Sequence, residues 1–198
     1  MGFFYTNITL KGPAQEQVVS HLRAQRRAAY VSPTINGITV VYDRECEGQH
    51  EAVLDTVTAG LSRALQCPAL WALLHDDDVF VYALYNRGNR IDAYNSEPGY
   101  FGYDAEVPPL PSGGDARALC AAFGVDAAVA PVDALLRRWW VGHDVANKDE
   151  GILAEDRHRA VAQALGWPPY TYSMGYHSIG FGNVPEGVDT ARLIKIEG

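Results

Sequence analysis

Apolar and polar positions in the first third of the chain predict strands and helices in turn. Residues 3–10 alternate and are rich in residues that favour strands, so they predict a strand with one mostly apolar face. Residues 18–22 then place apolar side chains at helical spacing. Residues 49–65 repeat that spacing and predict a second helix, which Pro68 ends.

A hairpin is predicted at Asn36-Gly37, which separates two β-rich runs. Both residues tolerate positive φ, as a type I′ turn requires, and this turn would pair Ile35 with Ile38. Pro33 has no N–H to give to a sheet ladder. We therefore expect its side of the strand to be an edge or a bulge.

Three further strands are predicted over residues 69–74, 79–85 and 90–94, with Asp76–Asp78 turning the chain between the first two. The first two runs are almost entirely apolar, as in strands that are buried on both faces. The order of elements predicts an α+β fold, an antiparallel sheet with two helices on one face. Its first elements match a ferredoxin-like βαββαβ start, extended by further strands.

The second half of the chain is predicted to be helical. Asp115 suits the N-cap of a helix that Gly124 would end in the left-handed conformation. Three helices are predicted there: 116–123, 132–140 and about 152–165. We predict an α+β sheet domain over 1–105, a Pro/Gly connection over 106–114, and a helical extension over 115–198 packed on the sheet as one globular unit.

Charge and cysteine content narrow the classes of function. The 198 residues include 16 Lys and Arg against 24 Asp and Glu, a net charge of −8, which argues against nucleic-acid binding and is compatible with a basic partner. No apolar run approaches the length of a membrane span. Cys46, Cys67 and Cys120 are an odd number without metal-site spacing, so a reducing cytoplasm is the default location. Abundant Ala and 13 Arg against 3 Lys are typical of a GC-rich bacterial genome.

The acidic run Asp76, Asp77 and Asp78 follows His75 and admits two interpretations. The four side chains could hold a divalent ion, but the spacing of a calcium-binding loop is absent, and neighbours in a strand point to opposite faces. The other interpretation, which we favour, is an acidic hairpin tip that protects two apolar strands from edge pairing. We predict no metal site and no cofactor.

An aromatic segment follows the predicted meander, with Tyr94, Tyr100, Phe101 and Tyr103 within ten residues. These rings either fold back over the core or form an interaction surface, for which Tyr is well suited because its large ring carries a polar tip. We take the four aromatics, together with Asp76–Asp78, as candidate binding residues.

Catalytic motifs are incomplete throughout the chain. His50-Glu51 begins like a metalloprotease helix, but Leu54 stands where the second His is required. We therefore predict a non-enzymatic binding or regulatory protein, with an acidic, immunity-like partner of a basic protein as one form of it. Two alternatives stay open. One is a small hydrolase or metal-dependent enzyme, and the other is a homo-oligomeric subunit that uses an exposed sheet edge. The enzyme would draw on His75, Asp76, Asp77, His143, Asp144 or His177.

Overall fold

The computed structural model describes residues 2–100, 110–138 and 152–198. These residues form an α+β fold built on one antiparallel sheet, as predicted. The strands are β1 (Phe4–Lys11), β2 (Ala29–Val31), β3 (Ile38–Asp43), β4 (Pro68–His75), β5 (Val79–Asn86), β6 (Asn89–Asn95), β7 (Ser112–Gly113) and β8 (Ile194–Ile196). The α-helices are α1 (Gln15–Ala24), α2 (Glu51–Ala64), α3 (Ala116–Phe123), α4 (Val129–Arg137), α5 (Ala154–Ala164) and α6 (Tyr176–Gly180).

The eight strands lie in the order β7-β6-β5-β4-β1-β3-β2-β8, and each neighbouring pair is antiparallel. Strand β1 pairs with β4 along Phe4–Leu10 but with β3 only along Ile8–Lys11. None of the described strands therefore pairs with the first half of β1 on its β3 side.

Alternation along the strands separates two cores, because successive side chains point to opposite faces of a sheet. On the first face, Ile8, Val41 and Trp71 pack with buried residues of α1 and α2. On the second face, Tyr5 and Tyr82 pack with α3, α4, α5 and the chain that follows them. The described C-terminal helices thus share a core with the sheet, while the predicted boundary at 105/106 lies outside the described residues.

The predicted hairpin is present. Asn36 and Gly37 have φ of 54° and 72°, and Ile35 bridges Ile38. Strand β8 pairs with β2 along Ala29–Val31, so β2 is an inner strand of the sheet. Pro33 lies just beyond the end of β2, so its missing N–H interrupts no ladder.

Local signals also set the ends of the C-terminal helices. The Asp115 carboxylate accepts hydrogen bonds from the N–H groups at the start of α3, and Gly124 ends that helix with φ 74°. Helix α4 begins at Val129, before the predicted start at 132, because Pro131 is tolerated in a first turn where no N–H partner is needed. The predicted end of that helix at Trp140 lies outside the described residues. None of the described helices is long and apolar enough to cross a membrane.

Helix α5 inserts two basic side chains into the second core. Arg157 is buried and donates to the carbonyl oxygens of Leu135 (2.8 Å) and Arg138 (2.7 Å). These two residues lie at the C-terminal end of α4, so Arg157 satisfies carbonyl groups at that end of the helix. His158 stacks on Phe80, with 4.7 Å between ring centroids, and its Nδ1 lies 2.8 Å from the hydroxyl of Tyr5. Burial lowers the pKa of His158 to about 3, so the imidazole is neutral in the fold.

Candidate functional site

The predicted acidic turn connects β4 and β5, where Asp76 and Asp77 both have positive φ. The Oδ1 atom of Asp76 accepts the N–H of Gly2 at 3.2 Å, and the Oδ1 atom of Asp77 accepts the N–H of Phe3 at 3.0 Å. The carbonyl oxygen of Asp77 accepts the N–H of Ala154 at 2.8 Å. The turn therefore ties the start of β1 and the start of α5 to one end of the sheet.

The third carboxylate of the turn contacts the predicted aromatic segment. The hydroxyl of Tyr100 donates to Oδ2 of Asp78 at 3.3 Å, and the Tyr100 ring lies edge-on to His75 with 5.7 Å between centroids. Partial burial raises the pKa of Asp78, and the negative charges of Asp76 and Asp77 add to this rise. Asp76–Asp78 and Tyr100, four of the seven candidate binding residues, thus lie together.

Tyr94, the other candidate binding residue that the structure describes, lies in the second core. Tyr94 is only 2% exposed, and its hydroxyl donates to the carbonyl of Leu136 at 3.0 Å and accepts from Arg157 at 2.8 Å. Its side chain belongs to the second core and is not available at the surface. Four further residues named from the sequence lie outside the described residues: Phe101, Tyr103, His143 and Asp144.

The histidine of the acidic turn is engaged by a neighbouring amide. Nδ1 of His75 lies 2.7 Å from Oε1 of Gln49, and Nε2 of Gln49 donates to the carbonyl of Leu74 at 2.6 Å. Within residues 2–100, 110–138 and 152–198, no group of three or more His, Cys, Asp and Glu side chains is placed to hold a metal ion.

Exposed apolar side chains surround the acidic turn. Phe3 and Leu153 are exposed. The main-chain N–H of Phe3 donates to the Asp77 carboxylate, and Leu153 directly precedes Ala154, whose N–H donates to the Asp77 carbonyl. Phe4 is also exposed, and its ring packs edge-on against His75 with 4.7 Å between centroids. We call Phe3, Phe4, Asp76, Asp77 and Leu153 the sheet-end surface.

A cleft of about 430 Å³ continues from the sheet-end surface. It lies beside the first half of β1, where the short 3₁₀ helix Cys46–Gly48 and α6 contact β1 in place of a strand. Phe181, at 87% exposure, is the most exposed large apolar side chain among the described residues. Seven residues line what we call the aromatic cleft: Phe4, Glu47, Gly48, Gln49, His177, Ser178 and Phe181.

Glu47 joins the walls of the aromatic cleft. Its side chain is 6% exposed, and its carboxylate accepts the main-chain N–H groups of Tyr176 at 3.1 Å and His177 at 3.2 Å. The hydroxyl of Thr6 donates to the same carboxylate at 3.4 Å. Burial raises the pKa of Glu47, and these hydrogen bonds oppose the rise without cancelling it. A Cβ at Gly175 would lie 2.5 Å from both carboxylate oxygens, so a larger residue there would push the carboxylate away from its present position.

Few cations balance the charge of Glu47. Nδ1 of His177 lies 3.9 Å from Oε1 of Glu47, and in the described part of the chain no Lys or Arg nitrogen comes within 4.0 Å of it. The sequence singled out His177 but neither Glu47 nor Phe181. No local pattern marks a contact between segments 129 residues apart, so the sequence offered no signal for this cleft.

Comparison of the chain with protein-family models, with curated proteins and with solved structures found no match in any of the three. The geometry of the sheet-end surface and the aromatic cleft is therefore the basis for a function.

Proposed function

We propose that this chain is a protein-binding module that engages a basic partner through the sheet-end surface and the aromatic cleft. The observation that carries the proposal is the grouping of exposed apolar side chains. Seven large apolar side chains are exposed in the described part of the chain, and four of them line this surface or cleft: Phe3, Phe4, Leu153 and Phe181. Such grouping beside polar groups is typical of interaction sites on proteins.

The negative charge of this chain supports the proposal that its partner is basic. The chain carries a net charge of −8, and Asp76 and Asp77 lie within the sheet-end surface. A negative surface attracts a positive partner during encounter and disfavours acidic competitors. A protein that neutralises a basic partner, as immunity proteins do, would use a surface of this kind.

The cleft geometry supports binding more than acid–base catalysis. His177, one residue of the enzyme alternative, lies in the cleft with Glu47, but both oxygens of Glu47 accept main-chain N–H groups. These contacts make Glu47 a group that positions α6. A general base needs a lone pair directed at the substrate proton, and the two main-chain bonds occupy part of that capacity.

Site-specific photo-cross-linking tests the proposal. A photoreactive phenylalanine analogue replaces Phe181 in cells that express the protein, and the matched control places it at Ile91, an exposed apolar position on β6. We expect a discrete adduct from position 181 that position 91 does not give, with a basic protein identified in it by mass spectrometry. Absence of an adduct at 181, or the same adducts from both positions, would contradict the proposal.

We also propose that β1 to β4 with α1 and α2 form a ferredoxin-like βαββαβ unit. The strand order β4-β1-β3-β2 and the shared core of α1 and α2 on one face support this assignment. Strands β5 to β7 then extend the unit beyond β4, and β8 extends it beyond β2.

We propose a reducing, cytoplasmic location. All three cysteines of the chain, Cys46, Cys67 and Cys120, are free and buried, which supports it. Thiol titration of the freshly extracted protein in denaturant is expected to find three reactive thiols, whereas two or fewer would count against the proposal.

A further inference from the structure

The carboxylate of Glu47 retains capacity for a donor from the aromatic cleft. A carboxylate oxygen can accept two hydrogen bonds, and the main-chain N–H of His177 is one donor to Oε1. The imidazole Nδ1 of His177, at 3.9 Å, is too distant to be a second donor. A buried carboxylate whose charge is only partly offset gains strongly from a cationic donor.

The walls of the cleft suit a flat cation. The exposed rings of Phe4 and Phe181 line the same cleft as Glu47, and the faces of aromatic rings attract cations. The seven lining residues include no Lys or Arg, so the described part of the chain supplies no such cation there. The volume of about 430 Å³ accommodates a guanidinium group and its aliphatic stem.

We propose that the aromatic cleft binds one arginine side chain of the basic partner. The guanidinium group donates to Oε1 of Glu47 and lies against the rings of Phe4 and Phe181. Arginine fits this combination better than lysine, because its planar group stacks on rings while it donates to a carboxylate. The inference rests on the proposed function, because the basic partner supplies the arginine. The net charge of −8 on this chain complements the positive charge of such a partner.

Titration with small analogues, followed by NMR of backbone amides, tests the inference without the partner. N-acetyl-arginine amide is compared with N-acetyl-citrulline amide, its uncharged isostere, and with N-acetyl-lysine amide. We expect saturable shifts at residues 47–49 and 176–181 with the arginine compound, and affinity about tenfold weaker for the citrulline compound. Equal affinity for citrulline or for lysine would overturn the inference, as would non-saturating shifts spread over all acidic residues.

Three variants locate the interaction. Phe181→Ala removes an exposed ring and is expected to weaken arginine binding about threefold. Glu47→Gln is expected to abolish it, while Glu45→Gln, at an exposed neighbouring carboxylate, leaves it unchanged. If Glu47→Gln also releases α6, Phe181→Ala still decides the matter, because unchanged affinity there overturns the inference.

The two proposals fail separately. A cross-linked basic partner at position 181 without binding of the arginine compound would remove the arginine inference and leave the protein-binding function in place. Saturable arginine binding in the cleft without a cross-linked protein would support the arginine site and remove the proposed partner.

Discussion

The carboxylate of Glu47 accepts the main-chain N–H of Tyr176 at 3.1 Å and so joins two segments 129 residues apart. Helix α6 spans only Tyr176–Gly180, which is too short to be stable in isolation. Its position therefore depends on contacts such as this one. His177 lies in α6 and Phe181 directly follows it, so the position of the helix determines where both side chains lie. Glu47 therefore sets the shape of the aromatic cleft.

Gly175→Ala is expected to destabilise the protein by about 1–3 kcal/mol, because the added Cβ would displace the Glu47 carboxylate from its main-chain donors. Equilibrium unfolding in urea measures the change. Gly180→Ala is the matched control, since its Cβ meets no atom closer than 4.0 Å, and it should change stability by less than about 0.5 kcal/mol. Equal losses in both variants would show that Glu47 does not fix this segment.

Arg157→Met is expected to cost about 2–4 kcal/mol, because the carbonyl oxygens of Leu135 and Arg138 lose their buried donor. Arg159→Met on the same helix removes ion pairs with Asp156 and the largely buried Glu155, and a cation–π contact with Tyr172. Because the Arg159 side chain is 38% exposed, this variant should cost less than Arg157→Met. Urea unfolding of the two variants under identical conditions compares them. A smaller loss at position 157 than at 159 would contradict the assigned role of Arg157.

His158 is expected to make stability fall in mild acid. The pKa of His158 is about 3 in the fold, against about 6.5 in the unfolded chain. Between these values only the unfolded state binds the proton, so the contribution is complete above pH 6.5 and is lost as pH falls toward 3. In this range the free energy of unfolding falls by about 1.4 kcal/mol per pH unit for one proton.

The stability of His158→Phe measured at several pH values isolates this proton. Phenylalanine can occupy the stack on Phe80 but cannot be protonated, so the variant should lose less stability than the wild type on acidification. NMR of the wild-type imidazole should show no titration between pH 8 and pH 5. A His158 that titrates near 6.5 in the folded protein would contradict the burial argument.

Arginine binding in the aromatic cleft is expected to weaken as pH falls through the raised pKa of Glu47, because the protonated carboxyl no longer attracts a cation. His177 faces Glu47 from α6, and Thr6 faces it from β1. NMR titrations between pH 7.5 and 4.5 measure the effect.

His177→Asn tests whether the pH dependence belongs to Glu47. We expect the pH dependence to persist in this variant, and its disappearance would contradict the assignment to Glu47. A wild-type affinity that stays constant across the range would contradict the direct contact between the guanidinium group and Glu47.

The acidic turn shows which structural features can be predicted from neighbouring residues and which cannot. Asp76–Asp78 between two apolar runs was enough to predict a turn between strands, because charged residues in short connections need only local geometry. The partners of the three carboxylates, Gly2, Phe3 and Tyr100, were not predictable. The contacts of Gly2 and Phe3 depend on β1 pairing with β4, which places Phe4 opposite His75. The contact of Tyr100 joins residues 22 positions apart, on the two sides of β5 and β6.

The sequence by itself determined the elements of this protein. The hairpin at Asn36-Gly37, the capping of α3 by Asp115 and the antiparallel α+β class all follow from backbone preferences and periodicity within a few residues. Only the tertiary structure decided that Tyr94 is buried and that Glu47 meets the chain at Tyr176. Tyr94 is buried because α4 and α5 pack over it, and Glu47 meets Tyr176 because β3 leaves β1 and other segments fill the space beside it. Such long-range packing has no local signature in the sequence.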